Sequence, residues 1–304
     1  MCGIAGILNP DPNRYTLSDL QRMTDALAHR GPDGGDHWRS PDGTVLLGHR
    51  RLKILDLTDA SQQPLQYLGR YTLVHNGEIY NYIELKKTLS QKGYVFRSSG
   101  DTEVIAAAFD HWGSDCVTHF DGMFAFAIWD EKEQSLFAAR DRFGEKPFFY
   151  TLQGTSLTFA SEIKAFKALG IDLQPDHNMA FNYLVLGYVD DPHQPDRTFF
   201  SNIHKLPAAH RMKYSALYQT ATIERYWDID LQNTQTAISD EEAESQLLEL
   251  LHTSVHRRLR SDVPTGCSLS GGLDSSTLAT LISQQQTEPL QTFTAIFPGF
   301  ERNE

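Results

Sequence analysis

Short apolar or alternating segments recur through the first half of the chain: "CGIAGIL", "TVLLGH", "RLKILDL", "YTLVHN", "MFAFAIWD", "SLFAAR", "PFFYTL" and "SLTFAS". Their length and their β-branched and aromatic content read as strands. Helices with good ends lie between them. One is expected over 18–29, with Ser18 and Gln21 as a capping box, Leu20, Met23 and Leu27 as its stripe, and Gly31-Pro32 as its stop. A second begins at Asn81, with Glu84 three residues on, and ends at Gly93; a third spans 102–112, with Val104, Ile105, Ala108, Phe109 and Trp112 on one face. Many strands broken by paired helices predict antiparallel sheets layered against helices, an α+β plan.

From about 187 the pattern loosens. "GYVDDPHQPDR" reads as a loop and "DIDLQNTQTAIS" as a linker. A helix then starts at Ser239, boxed by Glu242, with Ala243, Leu247, Leu251, Val255 and Leu259 on one stripe. "PTGCSLS" follows as a buried strand, then a glycine-rich turn, the helix "SSTLATLISQQQ" and the strand "LQTFTAIF". Strand, turn, helix, strand is the start of a parallel, doubly wound sheet.

The net charge of -12 argues against a broad nucleic-acid or anionic-membrane surface, because phosphate binding needs clustered Lys and Arg. A local loop could still hold a small anion. Cys2, Cys116 and Cys267 are too few and too far apart for a disulfide framework or a zinc site, which suggests a reducing compartment. The start lacks a basic region and its apolar run breaks at Asn9-Pro10, and no internal apolar stretch approaches membrane length. A cytoplasmic protein is expected.

The chain opens "MCGIAGI". Removal of Met1 would leave Cys2 with a free α-amine, and an amine that titrates near 8 can accept the proton of a thiol that titrates near 8.5. Gly3 would let a substrate approach the backbone. Alone, Cys2 reads better as a chance residue on a first strand.

Other segments add to it. "VHNGEIYN" is a strong hairpin signal, yet the Asn76 amide and the Gly77 N–H could also form an oxyanion hole. "GHRRLKILDL" reads either as an exposed edge or as Arg51 forked onto a carboxylate. In "SGDTEV", Asp101 is a plain N-cap or a charge partner. "AHRGPD" reads as a helix stop.

Together these segments resemble the amide-transferring domain of class II glutamine amidotransferases. The resemblance implies an N-terminal-nucleophile hydrolase sandwich, αββα with antiparallel sheets. It implies Cys2 as nucleophile and, through its amine, base; Asn76 and Gly77 as oxyanion hole; Arg51 for the α-carboxylate of glutamine; and Asp101, helped by Glu78, for its α-ammonium.

Near the end, "SLSGGLDSS" lacks the lysine of a Walker A loop but offers successive amides, hydroxyls and a helix N-terminus. Ser270–Ser276 look like the PP-loop of ATP pyrophosphatases, with Leu269, Ser270, Gly271, Gly272, Leu273, Asp274, Ser275 and Ser276 at the pyrophosphate and Asp274 on Mg2+. In this order the halves resemble glutamine-hydrolysing asparagine synthetases. That likeness implies that ATP adenylates aspartate and that ammonia displaces AMP, giving asparagine, with no prosthetic group, small-molecule partners only, and a homodimer left open.

"RDRFGEKPFFY", "FASEIKAF" and "IHKLPAAHRM" look like that family's domain-interface and linker segments, though taken one by one most of them read better as core packing. Met123 is a candidate for lining an ammonia passage, though a Met flanked by aromatics is more often a core filler. Pro207-Ala208-Ala209 and Cys267-Ser268 depart from the family's commoner residues without touching a proposed catalytic atom.

The expected organisation is 1–210 glutaminase, 211–238 linker and 239–304 the beginning of an α/β PP-loop domain, the chain being read as a fragment. Three other readings stand beside the asparagine-forming one. The acceptor could be another carboxylate, such as a sugar acid. The fragment could be a glutaminase or a glutamine-binding module only. A purely structural protein would leave the motifs as coincidences.

Overall fold

The computed structural model of the chain describes residues 1–9, 11–232 and 238–299. Two compact units, Met1–Ile229 and Asp230–Glu304, divide it. The first runs β1 (Gly3–Leu8), α1 (Leu17–Asp25), β2 (Gly34–Arg39), β3 (Val45–Arg51), β4 (Leu65–Tyr67), β5 (Tyr71–Ile79), α2 (Tyr82–Gln91) and α3 (Thr102–Trp112). It continues through β6 (Gly122–Asp130), β7 (Ser135–Arg140), β8 (Phe149–Gln153), β9 (Ser156–Ala160), α4 (Lys164–Ala168), α5 (His177–Leu186), β10 (His204–Lys205), β11 (His210–Ser215) and β12 (Thr220–Arg225).

The strands form two six-stranded sheets, ordered β10-β8-β9-β1-β3-β2 and β12-β11-β7-β6-β5-β4. Paired neighbours run antiparallel, as in β1 with β3 and β5 with β6. Ile4, Leu8, Val45 and Leu47 of the first sheet share one buried cluster with Val74, Ala127, Trp129 and Leu136 of the second. The alternate residues Ala5, Ile7 and Leu46 pack instead on Leu20 and Met23 of α1 and Phe166 of α4. Phe124, Phe126 and Phe137 of the second sheet pack likewise on Leu89 of α2 and Ile105 of α3. Successive side chains of a strand point to opposite faces, so a strand apolar at every position needs cover on both. The result is a four-layer αββα sandwich, the α+β plan that the strand pattern predicts.

Several local expectations shift. Helix α1 starts at Leu17, because the Thr16 hydroxyl accepts from the Asp19 amide while the Asp19 carboxylate accepts from the Thr16 amide. This box outcompetes Ser18–Gln21 because it places a full negative charge at the helix N-terminus. Asn81 precedes α2 without capping it; its amide bridges Asp121 and His119 instead. Helix α3 has the expected bounds. "RLKILDL" is not a strand, since β3 ends at Arg51 and Asp56 turns with φ +50.

The boundary expected at 210 also moves. Residues 211–225, expected within a linker, form the β11–β12 hairpin, and β11 adds to β7 through Arg211↔Ala139 and Tyr214↔Leu136. Met212 and Tyr214 reach the inter-sheet core, a burial that a linker would lack. Residues 233–237 of the expected linker lie outside the described residues.

The second unit runs α6 (Asp240–Arg258), β13 (Gly266–Ser268), α7 (Leu273–Gln285) and β14 (Gln291–Phe293), with β13 and β14 parallel. Ser239 and Glu242 form the expected capping box. The expected burial is missing: of the α6 stripe only Val255 is buried, Leu247 remains 59% exposed, and β13 is not a buried strand. Two strands that pair only with each other, beside two helices, give the apolar side chains little to pack against. No helix among the described residues is long and apolar enough to cross a membrane.

Candidate active site

A cavity of about 70 Å³ in the first unit is lined by Cys2, Arg51, Asn76, Gly77, Glu78 and Asp101, the six residues expected as catalytic or glutamine-binding in that half of the sequence. Met1, Leu52, Gln63, His75, Thr102, Met123 and Lys146 complete much of its wall.

Strand β5 builds the centre. Asn76-Gly77, a turn signal by sequence, lies inside this strand, where Asn76 faces Ala125 and Gly77 faces Phe124 of β6. Backbone amides of a strand alternate between its two edges. On the β4 side, the His75 amide donates to Gln63 Oε1 at 2.6 Å and the Ile79 amide to Asp101 Oδ2 at 2.8 Å. Two side chains thus replace rungs of a ladder that β4 does not extend this far. The Gly77 amide lies between them and faces the same way, into the cavity.

Gly77 adopts φ +143, and a Cβ there would come within 2.0 Å of the Met123 carbonyl oxygen, so glycine is required. The Asn76 side chain is fully buried, with neither Nδ2 nor Oδ1 hydrogen-bonded to a described protein group. Buried amides are seldom left so.

The Cys2 thiol sits against Leu52, whose amide approaches Sγ at 3.4 Å. Burial pushes this thiol up from its ordinary value, while desolvation, with Arg30 and Lys146 nearby, lowers the amine at the chain start, here carried by Met1. Arg30, from "AHRGPD", does more than stop a helix: its Nε donates to the Cys2 carbonyl at 2.9 Å and its Nη1 pairs with Glu162 at 2.9 Å. Gly3 has a packing role rather than an opening one, since a Cβ on it would lie 2.9 Å from Leu27 Cβ.

Arg51 is buried at the end of β3, not on an exposed edge. It donates to the Thr58 carbonyl at 2.7 Å and to the Asp56 carbonyl, which fixes its fork while leaving other donors for the cavity. Asp101 precedes α3 but makes no cap hydrogen bond within it.

Both acidic groups resist ionisation. Burial, then the Asp101 charge, pushes Glu78 up to about 7, and burial pushes Asp101 up to about 6 against the hydrogen bond from Ile79. Two desolvated carboxylates in one cavity suit a cationic group between them. A carboxyl whose folded pKa exceeds its unfolded value takes up protons on folding, so stability is lost as pH rises through the window from about 4.5 to about 7. For Glu78 this amounts to about 3 kcal/mol. We therefore expect Glu78→Gln to raise the Tm of the ligand-free protein at pH 8 but hardly at pH 4.5. Thermal melts at both values measure it, and equal shifts would contradict the charge argument.

Sequence reasoning missed Gln63, His75, Thr102 and Lys146. Gln63 links the His75 amide to Thr102 Oγ1 at 3.3 Å, a tie between segments far apart in sequence that leaves no local pattern. His75 lies in a quoted segment but was outranked by its neighbours. His49 donates from Nε2 to the His75 carbonyl at 3.1 Å, and burial holds both rings neutral, with pKa values about 3.

In the second unit Leu269, Ser270, Gly271 and Gly272 form the turn between β13 and α7, with Gly272 at the helix N-cap, and Leu273, Asp274, Ser275 and Ser276 form the first turn of α7. The Leu269 amide donates to the Phe293 carbonyl, and the Ser270 and Ser275 hydroxyls meet at 3.1 Å. No cluster of three His, Cys, Asp or Glu able to hold a metal is found among the described residues.

Comparison with known proteins follows the same division. The glutamine amidotransferase domain family matches residues 1–227 and the asparagine synthase family residues 246–304. "Asparagine synthetase [glutamine-hydrolyzing] 3" of Bacillus subtilis is 38% identical, over 96% of this chain and 48% of its own length. "Amidase chry2" of Gibberella zeae is 34% identical over 98% of this chain and 46% of its own length. The chain spans about half the length of these curated relatives. Among solved structures, a glutamine phosphoribosylpyrophosphate amidotransferase from B. subtilis matches with TM-score 0.56 at 16% identity, covering 96% of this chain and 65% of that one. That likeness is one of fold.

Proposed function

The chain belongs to the glutamine amidotransferase domain family, and from that premise we propose that it hydrolyses glutamine at Cys2 to supply ammonia to an ATP-dependent amide ligase. The observation that carries the reading is the pair of donors, the Asn76 amide, without a partner among the described residues, and the cavity-facing Gly77 N–H, in the cavity of the Cys2 thiol.

Once Met1 is removed, the α-amine of Cys2 takes the thiol proton. The sulfur bonds to the side-chain carbonyl carbon of glutamine, and the oxygen, now an anion, is held by Asn76 Nδ2 and Gly77 N. The carbon–nitrogen bond breaks, the ammonium proton of Cys2 passes to the leaving nitrogen, and ammonia departs. Water then cleaves the thioester to glutamate and free thiol. Arg51 forks onto the α-carboxylate, and Asp101 with Glu78 holds the α-ammonium.

In the second unit the Leu269–Ser276 segment, the turn before α7 and the first turn of that helix, would hold the pyrophosphate of ATP through its amides and hydroxyls. Any Mg2+ would be held by Asp274 together with phosphate oxygens. ATP activates a carboxylate by adenylation, and ammonia displaces AMP. Aspartate as acceptor, with asparagine as product, follows the name of the Bacillus subtilis relative. The partners are thus small molecules. A cytoplasmic setting suits three free cysteines.

The test is ammonia and glutamate release from glutamine by the purified chain, with mass spectrometry of the active fraction. The expected result is loss of Met1 and labelling of Cys2 by an electrophilic glutamine analogue. Active protein that retains Met1, or labelling of another side chain, overturns the reading.

A further inference from the structure

We propose that the Lys146 ammonium is the fixed counter-charge for the negative charge that gathers at the side-chain carbonyl of glutamine during hydrolysis, and for the side-chain carboxylate of the glutamate that results. The inference rests on the glutaminase reading above and adds to it a residue outside the family motifs used there.

Lys146 is 5% exposed and lines the cavity that holds Cys2, Asn76 and Gly77. Its main chain is tied down independently of its charge: its amide donates to the Asp141 carboxylate at 2.9 Å, and its carbonyl accepts from Arg140 Nε at 2.8 Å. Asp141 also accepts from the amides of Phe143 and Glu145, so the turn is held as a unit. The ammonium itself feels the Glu78 carboxylate but forms no ion pair among the described residues. A buried cation left without a close partner is costly and needs a reason.

Charge matching supplies one. The α-carboxylate of glutamine falls to Arg51 and its α-ammonium to Asp101 and Glu78. The side-chain amide of the resting substrate is neutral, which leaves Lys146 with no group to meet until the reaction begins. Its position fits that timing, because its charge bears on the chain-start amine and on His75, the neighbours of the nucleophile and of Asn76. Attack by the thiolate moves negative charge onto the carbonyl oxygen at that end. In a dry cavity a preset cation stabilises such charge far better than water-screened groups do. After hydrolysis the same ammonium faces a full carboxylate.

A rival account makes Lys146 a mere counter-ion of Glu78. The two differ in what a neutral side chain changes. Loss of the counter-ion would raise Glu78 further and weaken the hold on the α-ammonium, raising KM. Loss of the reaction's counter-charge lowers kcat and selectively weakens inhibition by glutamate.

The experiment measures glutaminase kinetics and competitive inhibition by glutamate for the wild-type chain, Lys146→Met and Lys146→Arg. We expect Lys146→Met to lower kcat by about 10²-fold, with the KM for glutamine within about threefold and inhibition by glutamate weakened at least about tenfold. Lys146→Arg should restore most of both. An unchanged kcat in Lys146→Met, or a rise in KM that matches the loss of glutamate inhibition, overturns the inference while the glutaminase reading stands. A wild-type chain that releases no ammonia from glutamine overturns both.

Discussion

Cys2→Ser is expected to lower glutamine hydrolysis by at least about 10³-fold, with glutamine binding retained. The hydroxyl keeps the shape of the site and stays small enough for Met1 removal, so only the chemistry changes. A serine hydroxyl is far less acidic than a thiol, and the single amine available as base cannot compensate. Arg51, Glu78 and Asp101 still line the cavity, and in the proposed mechanism these groups, not the sulfur, hold the α-carboxylate and α-ammonium. Calorimetric titration with glutamine should therefore give a normal isotherm for a protein that turns over almost nothing. In a longer ligase, amide synthesis from added ammonium should survive in both Cys2→Ser and Cys2→Ala. Loss of ammonium-dependent synthesis, or residual hydrolysis within tenfold of the wild type, would contradict the assignment of Cys2.

Much of the layered fold was legible because strands covered on both faces are apolar throughout. Ile4 and Leu8 face one layer, Ala5 and Ile7 another, and the sequence between them has no polar gap. The β11–β12 hairpin was illegible for the opposite reason. Its burial pattern is mixed and most of β12 is exposed, so residues that add to β7 look like a linker. The start of helix α1 was displaced by a competing box only two residues away, a choice decided by charge at the helix end.

The same contrast holds in the cavity. Cys2, Arg51, Asn76, Gly77, Glu78 and Asp101 stand in short quoted segments and converge. Yet what Asn76-Gly77 does locally was misread by turn chemistry, because nothing in two residues says that β6 will pair straight through them. Gln63 and Lys146 were missed because their work depends on neighbours supplied by distant strands. In the second unit the succession of strand, glycine turn and helix was legible from order, while the choice of Leu269–Ser276 within it rested on the likeness to a PP-loop.

Asn76→Leu should separate stability from function most sharply. The oxyanion reading requires Asn76 to hold a donor ready for a charge that is absent at rest, and its amide nitrogen and oxygen are both buried without a partner among the described residues. Groups held in this way subtract stability, by about 1–3 kcal/mol for each unsatisfied polar atom. Leucine is close to asparagine in shape and removes both atoms, so the Tm should rise by several degrees rather than fall. At the same time one oxyanion donor is lost, which lowers kcat by about 10²–10³-fold, or about 3–4 kcal/mol, with little change in KM. Asn76→Asp provides the control of opposite sign: it adds a third buried carboxylate beside Glu78 and Asp101, lowers the Tm above neutral pH, and repels the charge that the wild-type residue welcomes. A less stable Asn76→Leu protein would mean that the amide is satisfied by ordered water at rest. A fully active one would mean that the oxyanion is held elsewhere, and with it the role of the Gly77 amide would fall.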